Sequence, residues 1–262
     1  AEGEARGSTV EEMLLAFFCG YEVVARVART FSYQKLVLHS HGSLAAIGSA
    51  ASVAFLRKFS LEEILDAICN SATIVTPGPF NHAVQGGLIR NIWPGLGASN
   101  GIRAADLVQL GITGTRQSLY EVYVEAFGAI AYPLELSKDL KLNWAVMDSY
   151  HKIHACCQYS HSAIEATQNL LARITPKLNY SDIKSIRLET HWRGELLTNK
   201  APKTSLAAKF SMEYILATTI YHGVADANAF HADLLGNQAL SNLWEKVVIT
   251  SYKPEPIWPN DR

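Results

Sequence analysis

The sequence predicts a mostly α-helical protein with a smaller α+β part towards its C-terminal end. Three observations predict this class. Apolar residues recur at three- to four-residue spacing in the first half, two capping boxes mark helix starts there, and alternation with period two appears only in the second half. We therefore predict a helical domain over 1–147 and an α+β domain over 148–262.

The helical part is predicted from local signals. Thr9 and Glu12 form a capping box, in which each side chain can bond the other residue's backbone N–H, and Ser60 and Glu63 form a second one. The second helix is rich in Ala, Gly and Ser, which favour close backbone approach, and the Pro- and Gly-rich tract 76–87 interrupts the pattern. The first predicted helix begins at Thr9. The next three run from about 43 to 57, from Ser60 to about 73 and from about 95 to 110.

The second part alternates helices and strands. Apolar residues alternate with polar ones in KSIRLETHW, which is typical of a half-buried strand. Because two strands make a poor sheet, we expect this part to be unfinished where the tail KPEPIWPNDR ends it. The predicted elements are a helix over 161–174, a strand over 184–192, a helix over 205–222 and a strand over 245–252.

Composition excludes several classes of protein. With 262 residues, 48% of them hydrophobic, the chain can bury a sizeable core, and a net charge of −1 argues against a nucleic-acid partner. Apolar stretches are broken well before the ~18 residues that a membrane span needs. The spacing of the four cysteines does not suit a disulfide framework, because Cys19 and Cys69 are isolated and Cys156 and Cys157 are adjacent. We therefore expect a reducing, cytoplasmic location, or a mitochondrial one in a eukaryote.

Two histidines stand at the entry to the small-residue helix. In HSHGS, His39 or His41 is a candidate acid/base, because the unperturbed pKa of histidine, about 6.5, suits proton transfer near neutrality. The alternative is a structural histidine bonded to backbone. Metal binding is disfavoured, because no carboxylate or third histidine lies nearby in the sequence.

Further candidates lie in three later stretches. Arg90 precedes a helix start and suits a carboxylate or phosphate, although a solvated arginine is an equal alternative. In KIHACCQYSH, a helix would place His154, Cys157 and His161 on one face, but no fourth zinc ligand is identifiable. Tyr214 shares a predicted helix face with apolar residues, which indicates a core tyrosine.

Taken in order, these stretches resemble the MmgE/PrpD family, which includes 2-methylcitrate dehydratases, cis-aconitate decarboxylases and iminodisuccinate epimerases. HSHGSLAAIGSAASVA resembles the family's histidine segment before an Ala-rich helix, and RNIWPGLGAS resembles a segment in which Arg90 replaces a lysine. KIHACCQYSH resembles the K-x-Y-P-x-C-x-x-x-H motif, with His154 and Ala155 replacing Tyr-Pro. PKTSLAAKFSMEY is the closest match and contains Tyr214.

The resemblance implies a helical domain plus an α+β lid with the active site in the cleft between them, a homodimer, and no metal or organic cofactor. It implies a lyase acting on a small di- or tricarboxylate, with dehydration of 2-methylcitrate type favoured. The alternatives are an epimerase or other isomerase, a decarboxylase, or a catalytically silent relative that serves as a binding or assembly partner.

The resemblance also assigns roles to residues. It implies that His39, His41, Lys152 and Tyr214 are catalytic and that Arg90, His154 and His161 bind substrate. An ungapped comparison places the family's active-site histidine at His39, and a small local shift would place it at His41. The comparison also leads us to expect that the family's usual N- and C-terminal segments are missing, and that the site is incomplete or rearranged.

Overall fold

The structure, a computed structural model, describes residues 1–174 and 178–252. The chain forms two compact units. The first comprises 1–80 and 89–150, and the second comprises 81–88 and the chain from 151 onwards. The predicted domains stay predictions, and the tail KPEPIWPNDR lies outside the described residues.

Helices dominate the described residues, so the predicted fold class, mostly α with a smaller α+β part, is confirmed. The α-helices are α1 (Glu2–Ala5), α2 (Val10–Thr30), α3 (Ser40–Leu56), α4 (Leu61–Thr73), α5 (Asn81–Val84), α6 (Trp93–Gln109), α7 (Ser118–Tyr120), α8 (His161–Arg173), α9 (Trp192–Glu195), α10 (Ser205–Ala208), α11 (Met212–His222) and α12 (Gln238–Trp244). The strands are β1 (Phe31–Ser32), β2 (Ile130–Ala131), β3 (Ile186–Thr190) and β4 (Val247–Ser251). Short 3₁₀ turns cover Leu88–Asn91, Pro133–Leu136, Ala145–Asp148, Gln158–Ser160, Tyr180–Asp182, Asn228–Phe230 and Ala232–Gly236, and a π-helical turn, Glu121–Ala126, follows α7.

Both predicted capping boxes form. The Thr9 hydroxyl accepts from the Glu12 N–H while the Glu12 carboxylate accepts from the Thr9 N–H, and Ser60 and Glu63 make the same reciprocal pair at the start of α4. These bonds satisfy amide groups that a helix start leaves without partners.

Helix α3 lies in the middle of the first unit, and its small residues let two neighbours approach it closely. On the α2 side, a Cβ on Gly20 would collide with the Gly48 carbonyl. On the α6 side, a Cβ on Gly97 would lie 2.7 Å from the Gly42 carbonyl oxygen, and one on Gly101 would lie 2.6 Å from the Ala46 carbonyl oxygen. The Ala- and Gly-rich stretch is therefore a packing surface on both sides.

A buried ion pair ties α2 to the later part of the first unit. Arg26 donates from Nε to the Glu22 carboxylate at 2.6 Å and from Nη1 to the carbonyls of Leu136 and Lys138, at 3.0 and 2.8 Å. The second Glu22 oxygen accepts from the Ala145 N–H at 2.7 Å. The two charges therefore organise segments more than a hundred residues away in sequence.

The first unit also contains a short antiparallel pair that the sequence did not indicate. Phe31 of β1 pairs with Ala131 of β2, and Ser32 pairs with Ile130. Two residues per strand are too few to show an alternation pattern, so the prediction of an all-helical first part was wrong in this detail.

The second unit is built around α11. Its buried residues pack with α8, α12 and β4, and β3 pairs with β4 in parallel, from Ile186 opposite Val247 to Thr190 opposite Ser251. The helix predicted over 205–222 is divided into α10 and α11, because the Ser211 hydroxyl caps the Tyr214 N–H and starts a new helix.

None of the helices in the two described ranges combines the length and the apolar character that crossing a bilayer requires.

Candidate functional site

His39 is held at the entry of α3 by backbone pairing. Its N–H donates to the Gly78 carbonyl at 2.7 Å, the Phe80 N–H donates to the Val37 carbonyl at 2.8 Å, and Leu38 forms a β-bridge with Pro79. These bonds fix the backbone on both sides of the imidazole. The His39 residue is 7% exposed.

Two aromatic rings surround the His39 imidazole. The Phe80 ring stacks beside it, with centroids 5.8 Å apart, and the Trp93 ring meets it edge-on at 6.1 Å. This approach depends on Gly78, because a Cβ there would lie 2.5 Å from the Trp93 ring. On the other side of the helix entry, Gly42 lets the backbone at Thr76 approach, because a Cβ on Gly42 would lie 2.8 Å from the Thr76 carbonyl oxygen.

Three of the predicted site residues meet at this helix entry. The Nδ1 atoms of His39 and His41 lie 2.6 Å apart, and Arg90 reaches the other ring nitrogen of His39, with Nε at 3.3 Å and Nη2 at 3.2 Å from Nε2. Arg90 is carried by the 3₁₀ turn before α6 and also donates to the Asn91 side-chain oxygen at 3.4 Å. The structure thus joins the two histidines in one cluster, with His39 buried and His41 exposed.

A second group of predicted residues lies in the second unit. The segment 151–157 is not helical, so the helical spacing considered for His154, Cys157 and His161 was wrong. A loop and the turn Gln158–Ser160 instead bring the His154 and His161 rings to a centroid distance of 5.0 Å. The Nε2 atom of each ring is buried and lacks a hydrogen-bond partner in the part of the chain that the structure describes.

Burial lowers the pKa of His161, and the nearby charges of His154 and Lys152 act in the same direction. The shift favours the neutral form of the His161 ring. The adjacent Cys156 is buried, which raises the pKa of its thiol, and its Sγ lies 3.3 Å from the Ser160 hydroxyl. A neutral, buried thiol is a poor nucleophile.

Metal ligation has no support in the described ranges, where no group of three or more His, Cys, Asp and Glu side chains has a suitable arrangement.

Tyr214 lies in the interior of the second unit. Its ring is fully buried between Phe230 and Trp244, and its hydroxyl donates to the Ala229 carbonyl at 3.1 Å. Burial raises the pKa of Tyr214 to about 12. In this arrangement the hydroxyl stabilises the core, and it would have to leave the carbonyl to serve a substrate.

Comparison with known proteins assigns the family. The model of the MmgE/PrpD N-terminal domain matches residues 1–130, and that of the MmgE/PrpD C-terminal domain matches residues 154–254. The chain belongs to the MmgE/PrpD family. It is also 24% identical over 240 residues to a cis-aconitate decarboxylase of Aspergillus terreus, an alignment that covers 82% of this chain and 48% of that protein. The chain therefore spans about half the length of that relative.

Membership of the MmgE/PrpD family does not by itself test the predicted residue roles. In the first unit, His39 contacts both His41 and Arg90. In the second unit, Lys152 and His154 lie close enough to His161 to act on its charge. Lys152 is exposed, and its charge acts on His161. The assignments of these residues stay predictions.

Sequence reasoning missed the residues that frame His39. In the sequence, Gly78 and Phe80 belong to a tract that only interrupts the helical pattern, and Trp93 lies beside a predicted helix start. In the structure, Phe80 and Trp93 contact the His39 imidazole and Gly78 makes room for Trp93. The available signal was the Pro-Gly-Pro-Phe tract, whose fixed turns favour an extended segment able to pair with the residues before α3.

Proposed function

We propose that this chain supplies a carboxylate-binding, acid/base site of a lyase that acts on small di- or tricarboxylates. The observation that carries the proposal is the contact of the Arg90 guanidinium with Nε2 of His39, beside His41. A fixed cation next to a titratable ring is what proton abstraction from a carbon alpha to a carboxylate requires.

The chemistry follows from these groups. Arg90 binds a carboxylate of the substrate with two parallel N–H bonds and stabilises the negative charge that develops when the neighbouring C–H bond breaks. Nε2 of His39 takes that proton and leaves a carbanion beside the carboxylate. The electron pair of this carbanion then forms the new carbon–carbon double bond as the C–O bond breaks. The departing hydroxyl takes a second proton from solvent and leaves as water.

The first reaction to test is dehydration of a 2-methylcitrate-type hydroxy acid. The second candidate is decarboxylation of a cis-aconitate-type acid, and the similarity to the fungal decarboxylase favours it. Both reactions pass through a carbanion beside a carboxylate, so one fold can support either. Product analysis separates them, because only decarboxylation releases carbon dioxide.

The test is turnover of a panel of hydroxy-polycarboxylates and cis-aconitate, followed by ultraviolet absorbance of the conjugated acid and by proton NMR of products. We expect His39→Gln to lower kcat by about 10²- to 10⁴-fold, the usual contribution of a general base. Arg90→Gln should lower kcat/KM by about 10- to 150-fold, the value of hydrogen bonds to a charged group.

Arg103→Gln is the matched control, because Arg103 is exposed on α6, the helix that follows the Arg90 turn. It should match the unaltered chain. Turnover of none of the acids, or equal turnover by the Arg90 and Arg103 variants, would contradict the proposal. The former result would favour a catalytically silent binding partner. Single substitutions of Lys152, His154, His161 and Tyr214 in the same assay test their predicted roles.

A further inference from the structure

The contact with Arg90 determines where His39 carries its proton. A guanidinium has N–H donors and no acceptor, so Nε2 of His39 must accept from it with a lone pair. A neutral imidazole has one N–H, which is therefore on Nδ1. Arg90 thus selects the Nδ1–H tautomer of His39.

The neighbouring histidine completes this assignment. The His39 Nδ1–H points at Nδ1 of His41, 2.6 Å away, and only one of these two nitrogens can carry a proton in a hydrogen bond of that length. His41 therefore accepts at Nδ1 and carries its own proton on Nε2. The three side chains form a directed series of hydrogen bonds from Arg90 through His39 to His41.

We propose that His41 is a positioning residue for His39, and that a substrate carboxylate exposes the base by drawing Arg90 away from it. Without a carboxylate, the lone pair on Nε2 of His39 is occupied by Arg90. A carboxylate forms shorter and stronger charge-assisted bonds with the guanidinium than a neutral imidazole does, so it displaces Nε2. This inference rests on the proposed function and adds a mechanism of activation to it.

The proton balance favours the same roles. When Nε2 takes a proton from the substrate carbon, that C–H bond breaks, an N–H bond forms, and the electron pair stays with the substrate. His39 is then an imidazolium, and its Nδ1–H still donates to the His41 lone pair, which stabilises the positive charge. His41 does not contact the reacting atoms in this scheme and acts only through His39.

The direct test is the tautomeric state of His39, measured by two-bond ¹H–¹⁵N correlation spectra of the full chain with ¹⁵N-labelled histidine. The resonances of His39 are identified, among those of the nine histidines, as the ones that disappear in His39→Gln. We expect His39 to be protonated at Nδ1 with a lone pair at Nε2. A His39 protonated at Nε2 would overturn the proposal.

Two substitutions of His41 separate positioning from simple packing. His41→Asn places an acceptor oxygen near the position of Nδ1, and His41→Leu removes the acceptor. We expect both variants to keep the Nδ1–H form, because Arg90 still donates to Nε2. The Leu variant should lose the hydrogen bond of that N–H, which moves its proton resonance, and its kcat should fall by about 3- to 10-fold, the value of one hydrogen bond. KM should hardly change, because Arg90 still holds the carboxylate. A Leu variant with an unaltered His39 spectrum would overturn the positioning role.

The unmasking step is tested with tricarballylate, a tricarboxylate that has no hydroxyl to eliminate. Saturation should shift the Nε2 resonance of His39 in the unaltered chain and in Arg103→Gln, and should leave it unmoved in Arg90→Gln, where no guanidinium covers it beforehand. An unmoved Nε2 in the unaltered chain would refute the unmasking. Because these readouts need no turnover, a chain that shows the expected spectra but converts no acid would overturn the proposed reaction alone.

Discussion

Gly101→Ala tests whether α6 packs on α3 as closely as the structure shows. The added Cβ would lie 2.6 Å from the Ala46 carbonyl oxygen and 2.7 Å from the Ala50 nitrogen. Both are backbone atoms of one helix, so no side-chain rotation relieves the clash, and the helices must move apart by several tenths of an ångström. Overpacking of this kind costs about 1–3 kcal/mol.

Gly95→Ala in the same helix is the matched control, because a Cβ there meets nothing within 4 Å. Alanine improves helix propensity over glycine by up to about 1 kcal/mol in either variant. The difference between the two variants therefore isolates the clash. We expect Gly95→Ala to equal or exceed the original stability and Gly101→Ala to lie about 1–3 kcal/mol below Gly95→Ala.

Urea unfolding followed by circular dichroism measures this difference, provided that the slope with urea is unchanged. Thermal unfolding gives a second reading, at roughly 2–4 °C per kcal/mol for a chain of this size. Equal stability of the two alanine variants would refute the close packing of α3 and α6, and with it the packing explanation for the small-residue sequence of α3.

Three further predictions concern a buried ion pair, a histidine and a cysteine. Glu22→Ala should lower the free energy of unfolding by about 3–5 kcal/mol, because it leaves the buried Arg26 without its counter-ion. Asp148→Ala is the control, since it breaks an exposed ion pair with Arg29 of the same helix α2 and should cost less than about 1 kcal/mol. Similar losses in the two urea titrations would contradict the buried role of Glu22. His161 binds its proton less readily in the folded chain than in the unfolded one, so the folded state should lose stability as the pH drops below about 6.5. His161→Gln should flatten that part of the curve of unfolding free energy against pH. An unchanged curve would refute the lowered pKa of His161. Because burial raises the pKa of the Cys156 thiol, this residue should resist a maleimide at pH 7 until urea unfolds the chain, as mapped by peptide mass spectrometry, and rapid labelling of the folded chain would count against it.

Features that depend on a few neighbouring residues were predictable from the sequence. The two capping boxes formed where Thr9 with Glu12 and Ser60 with Glu63 indicated them, because a cap satisfies amides within one turn. The strands β3 and β4 were predictable for the same reason, since alternation over five residues reflects one buried face. Helix bounds agreed to within a few residues.

Features that depend on distant segments were not predictable in this way. The β1–β2 pair has two residues in each strand and no pattern to detect. The meeting of His154 with His161 depends on a loop rather than on helical spacing. The glycine that admits Trp93 beside His39 has no signal of its own, because its role depends on a ring fifteen residues away.

Much of the candidate site followed from the family resemblance rather than from local chemistry. His39 and Arg90 are 51 positions apart, and neither stretch alone favoured a functional role over a structural one. The structure joins the two candidate histidines, because His39 and His41 share one hydrogen bond, and the role of each ring stays a prediction. That bond requires both rings at the same helix entry.

The most direct test of the proposed carboxylate site is the binding of tricarballylate to the unaltered chain and to three arginine variants, measured by isothermal titration calorimetry. We expect binding that Arg90→Lys weakens, because an ammonium cannot form the two parallel bonds, and that Arg90→Gln weakens by about 10- to 150-fold, while Arg103→Gln leaves it unchanged. Equal affinity in Arg90→Gln and Arg103→Gln would contradict the claim that Arg90 beside His39 and His41 is the carboxylate site.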